Sequence, residues 1–152
     1  MTKAELLTLH VLDWAENRGL LQPEFAEKQY LKILEEIGET ARAILKDDRP
    51  AMIDGFGDIA VTFIIFNAQL KCNQEFKFHQ IVGYYNKINF DDLIRTIYTD
   101  YIGSMALYKL QLIAKNYDLI LEDCLEVAYN QIKNRKGEII NGTFIKENNE
   151  PK

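Results

Sequence analysis

Glu35-Glu36-Ile37-Gly38-Glu39, then a short turn, then Asp54-Gly55-Phe56-Gly57-Asp58 running on into Ile59-Ala60-Val61-Thr62-Phe63-Ile64-Ile65-Phe66: this stretch decides the fold. At about 100° per residue, Leu31, Leu34, Ile37, Gly38, Ala41, Ile44 and Leu45 fill one broad side of a helix, with Ile33 at its edge. Glu35, Glu36 and Glu39 share the other side. Asp54 and Asp58 lie one turn apart, on a side that continues as Val61, Ile65 and Ala68, and their neighbours Ile59, Phe63, Ile64 and Phe66 leave no solvent face. The pattern predicts one helix reaching about Lys46 and another from about Ala51 to Lys71. The connection Asp47-Asp48-Arg49-Pro50 is short enough to make the two helices antiparallel neighbours, so the two acidic sets can meet across their interface.

Outward from this core the signals remain helical. Thr2 and Glu5 predict a capping box for a first helix ending near Asn17 to Gly19, with Leu6, Leu9, Val11, Leu12 and Ala15 as its buried stripe. Pro23 suits the first position of the next helix. Residues 73–89 intersperse Phe76, Phe78, Ile81, Tyr84 and Tyr85 with polar residues and predict a segment packed on the bundle, with or without a short helix. A fourth helix is expected from Asn89 or Phe90 to about Lys115, and a last from about Leu119 to Asn134. Asn141-Gly142 between Ile139-Ile140 and Thr143-Phe144-Ile145 is the sequence of a tight two-residue hairpin. The expected fold class is all-α: an antiparallel helical bundle of about five helices with a small C-terminal β-hairpin, one domain over 1–147 and a polar tail over 148–152.

Bulk properties exclude several classes. A chain of 152 residues builds one core, and a net charge of −5 argues against a general nucleic-acid binder. Cys72 and Cys124 are far apart and make neither a disulfide framework nor a zinc pattern. The longest apolar run, Ile59 to Phe66, is too short to span a bilayer, and Met1-Thr2-Lys3-Ala4-Glu5 does not read as a signal peptide. The expectation is a cytoplasmic protein.

Carboxylates at the head of an apolar helix are costly to bury without a compensating charge. Hard oxygen donors without His or Cys indicate Mg²⁺ or Mn²⁺. An EF-hand lacks its loop pattern, and a di-iron site would want Glu-x-x-His on two helices where only His10 and His79 exist. Gly38, Gly55 and Gly57 suggest close helix approach or space kept for a ligand. The competing reading of Glu35, Glu36 and Glu39 is a solvated acidic face offset by Lys32, Arg42 and Lys46.

These residues resemble the MazG-like family of all-α nucleoside triphosphate pyrophosphohydrolases, whose signature is E-x-x-E on one helix and E-x-x-D on the next. Glu36 and Glu39 match the first element, after Glu35, and Asp58 matches the end of the second. Gly55 stands where the family pattern has Glu; Asp54, one residue earlier, is the substitute, as in a phage-type branch of the family. Trp14-Ala15-Glu16-Asn17-Arg18-Gly19 and the segments from Cys124 to Gly137 and from Asn141 to Lys146 are similar to that branch. The resemblance implies Mg²⁺-dependent hydrolysis of a nucleoside triphosphate to the monophosphate and pyrophosphate, and a homodimer or homotetramer. It implies Glu36, Glu39, Asp54 and Asp58 as metal ligands and Glu35 as the catalytic group that activates or positions the water. Lys32, Lys133, Arg135 and Lys136 are candidates for the phosphates, though the last three also suit a cationic helix end. Trp14 is either core or a stacking platform for a base; Asn17 and Asn130 are candidates for base or sugar edges. The alternatives are a weakly catalytic nucleotide- or alarmone-binding protein and a helical interaction module.

Overall fold

The computed structural model describes residues 1–70, 88–99 and 104–147. α1 (Lys3–Glu16) starts at the expected capping box: the Thr2 hydroxyl accepts from the Glu5 backbone N–H at 3.2 Å, and the Glu5 carboxylate accepts from the Thr2 N–H at 2.7 Å. Pro23 opens a 3₁₀ turn (Pro23–Phe25) that leads into α2 (Ala26–Leu45). Asp48 caps α3 (Arg49–Gln69) by accepting from the Ala51 N–H at 3.1 Å. Then come α4 (Phe90–Thr99), α5 (Ser104–Lys115) and α6 (Leu121–Ile132), followed by the antiparallel pair β1 (Gly137–Ile140) and β2 (Thr143–Lys146). The all-α expectation holds.

α3 is the axis of the bundle, in contact with α1, α2, α5 and α6. Fourteen of its 21 residues are buried, which explains why its sequence is apolar all round. It is long and apolar enough to cross a membrane, yet 72% of its most apolar window is buried within the protein, the position of a central core helix. α2 lies antiparallel beside it: buried Gln29 donates to the Thr62 carbonyl at 3.2 Å near one end, and Thr40 faces Gly55 near the other. The Gln69 amide reaches the Leu20 carbonyl at 2.8 Å, and Arg49 donates to the carbonyls of Tyr117 and Asp118 at 3.1 and 3.0 Å. Both ends of the axis are thereby tied to the turns beside them.

Three expectations are corrected. Leu6 and Leu9 are 44% and 52% exposed; the buried side of α1 is Ala4, Leu7, Thr8, Val11, Trp14 and Ala15. The expected fourth helix is two, α4 and α5, on either side of residues 100–103. The Lys109 ammonium reaches the Thr96 hydroxyl at 2.5 Å, which a single straight helix carrying both residues could not allow. Gly38 is exposed with nothing near the place of a side chain, so it marks no close helix approach. The aromatic stretch Phe76 to Tyr85 and the polar tail from Asn148 lie outside the described residues.

Candidate active site

Successive turns of α2 present Lys28, Lys32, Glu36 and Glu39, and successive turns of α3 answer with Asp58, Val61, Thr62 and Ile65. Because the helices are antiparallel, these two rows line one cavity of about 510 Å³. Trp14 and Leu20 close one wall, Ile132 and Arg135 another, and the hairpin covers the cavity with Gly142 through Lys146. The hairpin is seated at two points. Phe144 meets Trp14 edge-on at 5.3 Å, and the turn at Gly142 abuts Phe25 and Lys28 so closely that a side-chain carbon there would lie 3.0 Å from the Phe25 ring. Positive φ at Asn141 (51°) and Gly142 (78°) explains the Asn-Gly at the turn.

A second cavity of about 330 Å³ opens on the other side of the carboxylates, lined by Glu39, Arg42, Ala43, Lys46, Asp48, Ala51, Asp54, Gly55 and Asp58. Glu39 and Asp58 face both cavities.

The electrostatics are those of carboxylates short of positive charge. Burial, then the charges of Glu36 and Asp54, push the Asp58 carboxyl up to about 7; Arg135 and Lys32 only partly oppose them. Glu36 is buried, and burial raises its carboxyl as well, against a 3.0 Å ion pair from Lys32. Burial works against the Lys32 ammonium, but its bonds to Glu35 at 2.6 Å and to Glu36 outweigh this and raise it. Asp54 accepts a 2.6 Å hydrogen bond from the Gln131 amide of α6.

Among the described residues, no three carboxylates, imidazoles or thiols converge on one point. Lys32 holds Glu36 and Gln131 holds Asp54. The donor set nevertheless suits a hard divalent cation: oxygen ligands alone, two of them buried or half-buried with raised pKa values.

Gly55 and Gly57 mark real helix contacts. A Cβ on Gly55 would overlap the Thr40 hydroxyl and lie 3.1 Å from the Thr40 Cβ. A Cβ on Gly57 would overlap the Cys124 carbonyl and lie 2.8 Å from the Ala128 Cβ. Position 55 therefore admits no carboxylate side chain, and the acid stands at Asp54. The Cys124 thiol is pushed up to about 11, chiefly by burial, and is a packing group.

The sequence-derived candidates separate into three groups. Trp14, Lys32, Glu36, Glu39, Asp58 and Arg135 converge on the large cavity. Asp54 reaches the smaller one. Glu35, Asn17, Asn130, Lys133 and Lys136 line neither. Glu35 is bound to Lys32, Asn17 is the C-cap of α1, and Lys133 donates to Asn130 at 2.8 Å. Trp14 is 8% exposed, and the Arg18 guanidinium lies over its ring at 4.5 Å, so the core reading of Trp14 holds while it still forms part of the wall. Sequence reasoning missed Lys28, Gln29, Thr62, Lys146 and Gln131. Lys28 was legible, four residues before Lys32 on the same face; the others meet the site only through tertiary packing.

Helices α2 and α3 thus bring their paired acids to the wall of one cavity of about 510 Å³. The model of the MazG nucleotide pyrophosphohydrolase domain matches residues 26–92, which contain every acidic candidate, so the resemblance read from Glu36, Glu39 and Asp58 is borne out. That segment is less than half of the chain. Among curated proteins, the chain is 30% identical over 69 residues to an uncharacterized 18.2 kDa protein of the rep-hol intergenic region of Haemophilus phage HP1, covering 45% of this chain and 42% of that protein. That likeness agrees with the phage-type branch. No solved structure matches.

Proposed function

We propose that this protein hydrolyses nucleoside or deoxynucleoside triphosphates between the α and β phosphates, giving the monophosphate and pyrophosphate. The observation that carries the reading is that Glu36, Glu39 and Asp58 line the large cavity together with Lys28, Arg135 and Lys146. Glu36, Glu39 and Asp58, with Asp54 from the second cavity, would hold Mg²⁺ or Mn²⁺. Such a cation, when bound, neutralises phosphate charge and lowers the pKa of water. Glu35 would enter by releasing Lys32 and accepting the proton of the attacking water. The water oxygen bonds to one phosphorus of the α–β bridge, the bond from that phosphorus to the bridging oxygen breaks, and the water proton leaves through the carboxylate. Lys28, Lys32, Arg135 and Lys146 would bind phosphate oxygens as charge-assisted donors. The apolar wall of Leu20, Val61, Ile132 and Phe144 suits the nucleoside end.

A second reading has its own support. Because no three carboxylates converge among the described residues, a protein that binds a nucleotide or an alarmone with little turnover fits the same cavity. Assay of pyrophosphate release from a panel of ribo- and deoxyribonucleoside triphosphates, with Mg²⁺, Mn²⁺ or EDTA, separates the two. Metal-dependent release supports the hydrolase; tight nucleotide binding without release supports the binding protein. We expect a homodimer or homotetramer working in the cytoplasm, in keeping with exposed Leu31 and Leu45 on the outer side of α2.

A further inference from the structure

Glu39 and Asp58 line both cavities, whose apolar walls differ. The large side carries aromatic and aliphatic walls. The small side has no aromatic and no large aliphatic lining; its apolar wall is Ala43, Ala51 and Gly55. Gly55 keeps that wall bare, since any side chain there meets Thr40. Arg42 and Lys46 reach this cavity from one face of α2, and neither side chain makes a hydrogen bond or ion pair among the described residues. The acids beside them are partly engaged: Asp48 caps α3 and Asp54 accepts from Gln131.

Two cations, Arg42 and Lys46, and four carboxylates, Glu39, Asp48, Asp54 and Asp58, around one small polar cavity suit a compact polyanion that arrives with a divalent cation. A base or sugar finds no complementary wall. Pyrophosphate alone would be repelled by Glu39, Asp54 and Asp58; a Mg²⁺ ion bound with it would offset much of that repulsion. The scissile bond lies beside Glu39 and Asp58 if the nucleoside end occupies the large side, which places the leaving fragment on the small one.

We propose that the second cavity is the seat of the departing pyrophosphate, bound as its Mg²⁺ complex by Arg42 and Lys46. This rests on the hydrolase reading for its place in the reaction, but not for the binding itself. The cavity opens beside the last turn of α2, so pyrophosphate leaves without passing the nucleoside and the hairpin.

The test is calorimetric titration of the full-length chain with inorganic pyrophosphate, orthophosphate and a nucleoside monophosphate, with and without Mg²⁺, in wild type, Arg42→Lys and the double variant Arg42→Ala/Lys46→Ala. Circular dichroism confirms that each is folded. Wild type is expected to bind pyrophosphate only with Mg²⁺, and more tightly than orthophosphate. The double variant should lose about tenfold or more, as for removal of charge-assisted hydrogen bonds, with Arg42→Lys between the two. Affinity for the monophosphate should change less than about twofold, within the spread of a distant surface change. In turnover, the pyrophosphate inhibition constant should rise by the same factor while the monophosphate constant stays. Equal loss of both ligands, unchanged pyrophosphate binding in the double variant, or no Mg²⁺-dependent binding by wild type would each overturn the assignment. If wild type binds pyrophosphate as described yet releases none from any triphosphate, the reaction falls and the cavity stands. Turnover with an indifferent double variant gives the reverse.

Discussion

Asp58 shows how a single residue couples stability to the site. Its carboxyl titrates near 7 in the fold against an ordinary value of 3.8, because burial and two neighbouring carboxylates oppose its charge. A raised folded pKa means that the stability it contributes is complete below pH 4 and is lost as pH climbs through 7. Metal-free protein should therefore lose stability from pH 5 to pH 8 relative to Asp58→Asn in urea denaturation. Added Mg²⁺ should raise the Tm of wild type more at pH 8 than at pH 5, since protons compete for the ligand oxygens. A flat difference between wild type and Asp58→Asn across that range would remove Asp58 from this role. Gly55 makes a steric prediction of the same kind. Gly55→Ala should cost about 1–3 kcal/mol of overpacking, and Thr40→Ala in the same chain should recover part of it. Additive losses in denaturant titrations would contradict the contact. The acids themselves were legible in sequence because buried charge against an apolar run is a local anomaly. The Gln131 bond to Asp54 was not, because it joins residues 77 apart in the chain.

At the scale of elements, the hairpin decides how the large cavity is closed. Asn141-Gly142 announced it in sequence, since only residues tolerant of positive φ fit that turn. Its docking onto Trp14 and Phe25 could not be read, because Phe144 and Ile145 alternate like any short strand. Phe144→Ala should cost about 3 kcal/mol or less, being half-buried, and shift Trp14 emission to the red as the indole gains water. Unchanged emission would show that the hairpin does not cover Trp14. The division into α4 and α5 was not legible, because the Lys109–Thr96 contact that excludes one straight helix is tertiary. α3 was readable throughout: an axis surrounded by four helices has no polar face to show.

For the whole molecule, the helical bundle positions two cavities that share Glu39 and Asp58, and the proposed activity rests on this arrangement. Exposed Leu6, Leu9, Leu31 and Leu45 on α1 and α2 are more apolar surface than isolated side chains need, and sedimentation velocity should return at least twice the 17.7 kDa chain mass. A single species at chain mass would contradict the oligomer. The central claim is the bond that is cleaved. Phosphorus-31 NMR of a triphosphate incubated with the protein and Mg²⁺ reads it directly. Nucleoside monophosphate and pyrophosphate should appear in step, and neither with EDTA or with Glu39→Gln. Nucleoside diphosphate with orthophosphate, or wild-type protein as silent as Glu39→Gln, would contradict it.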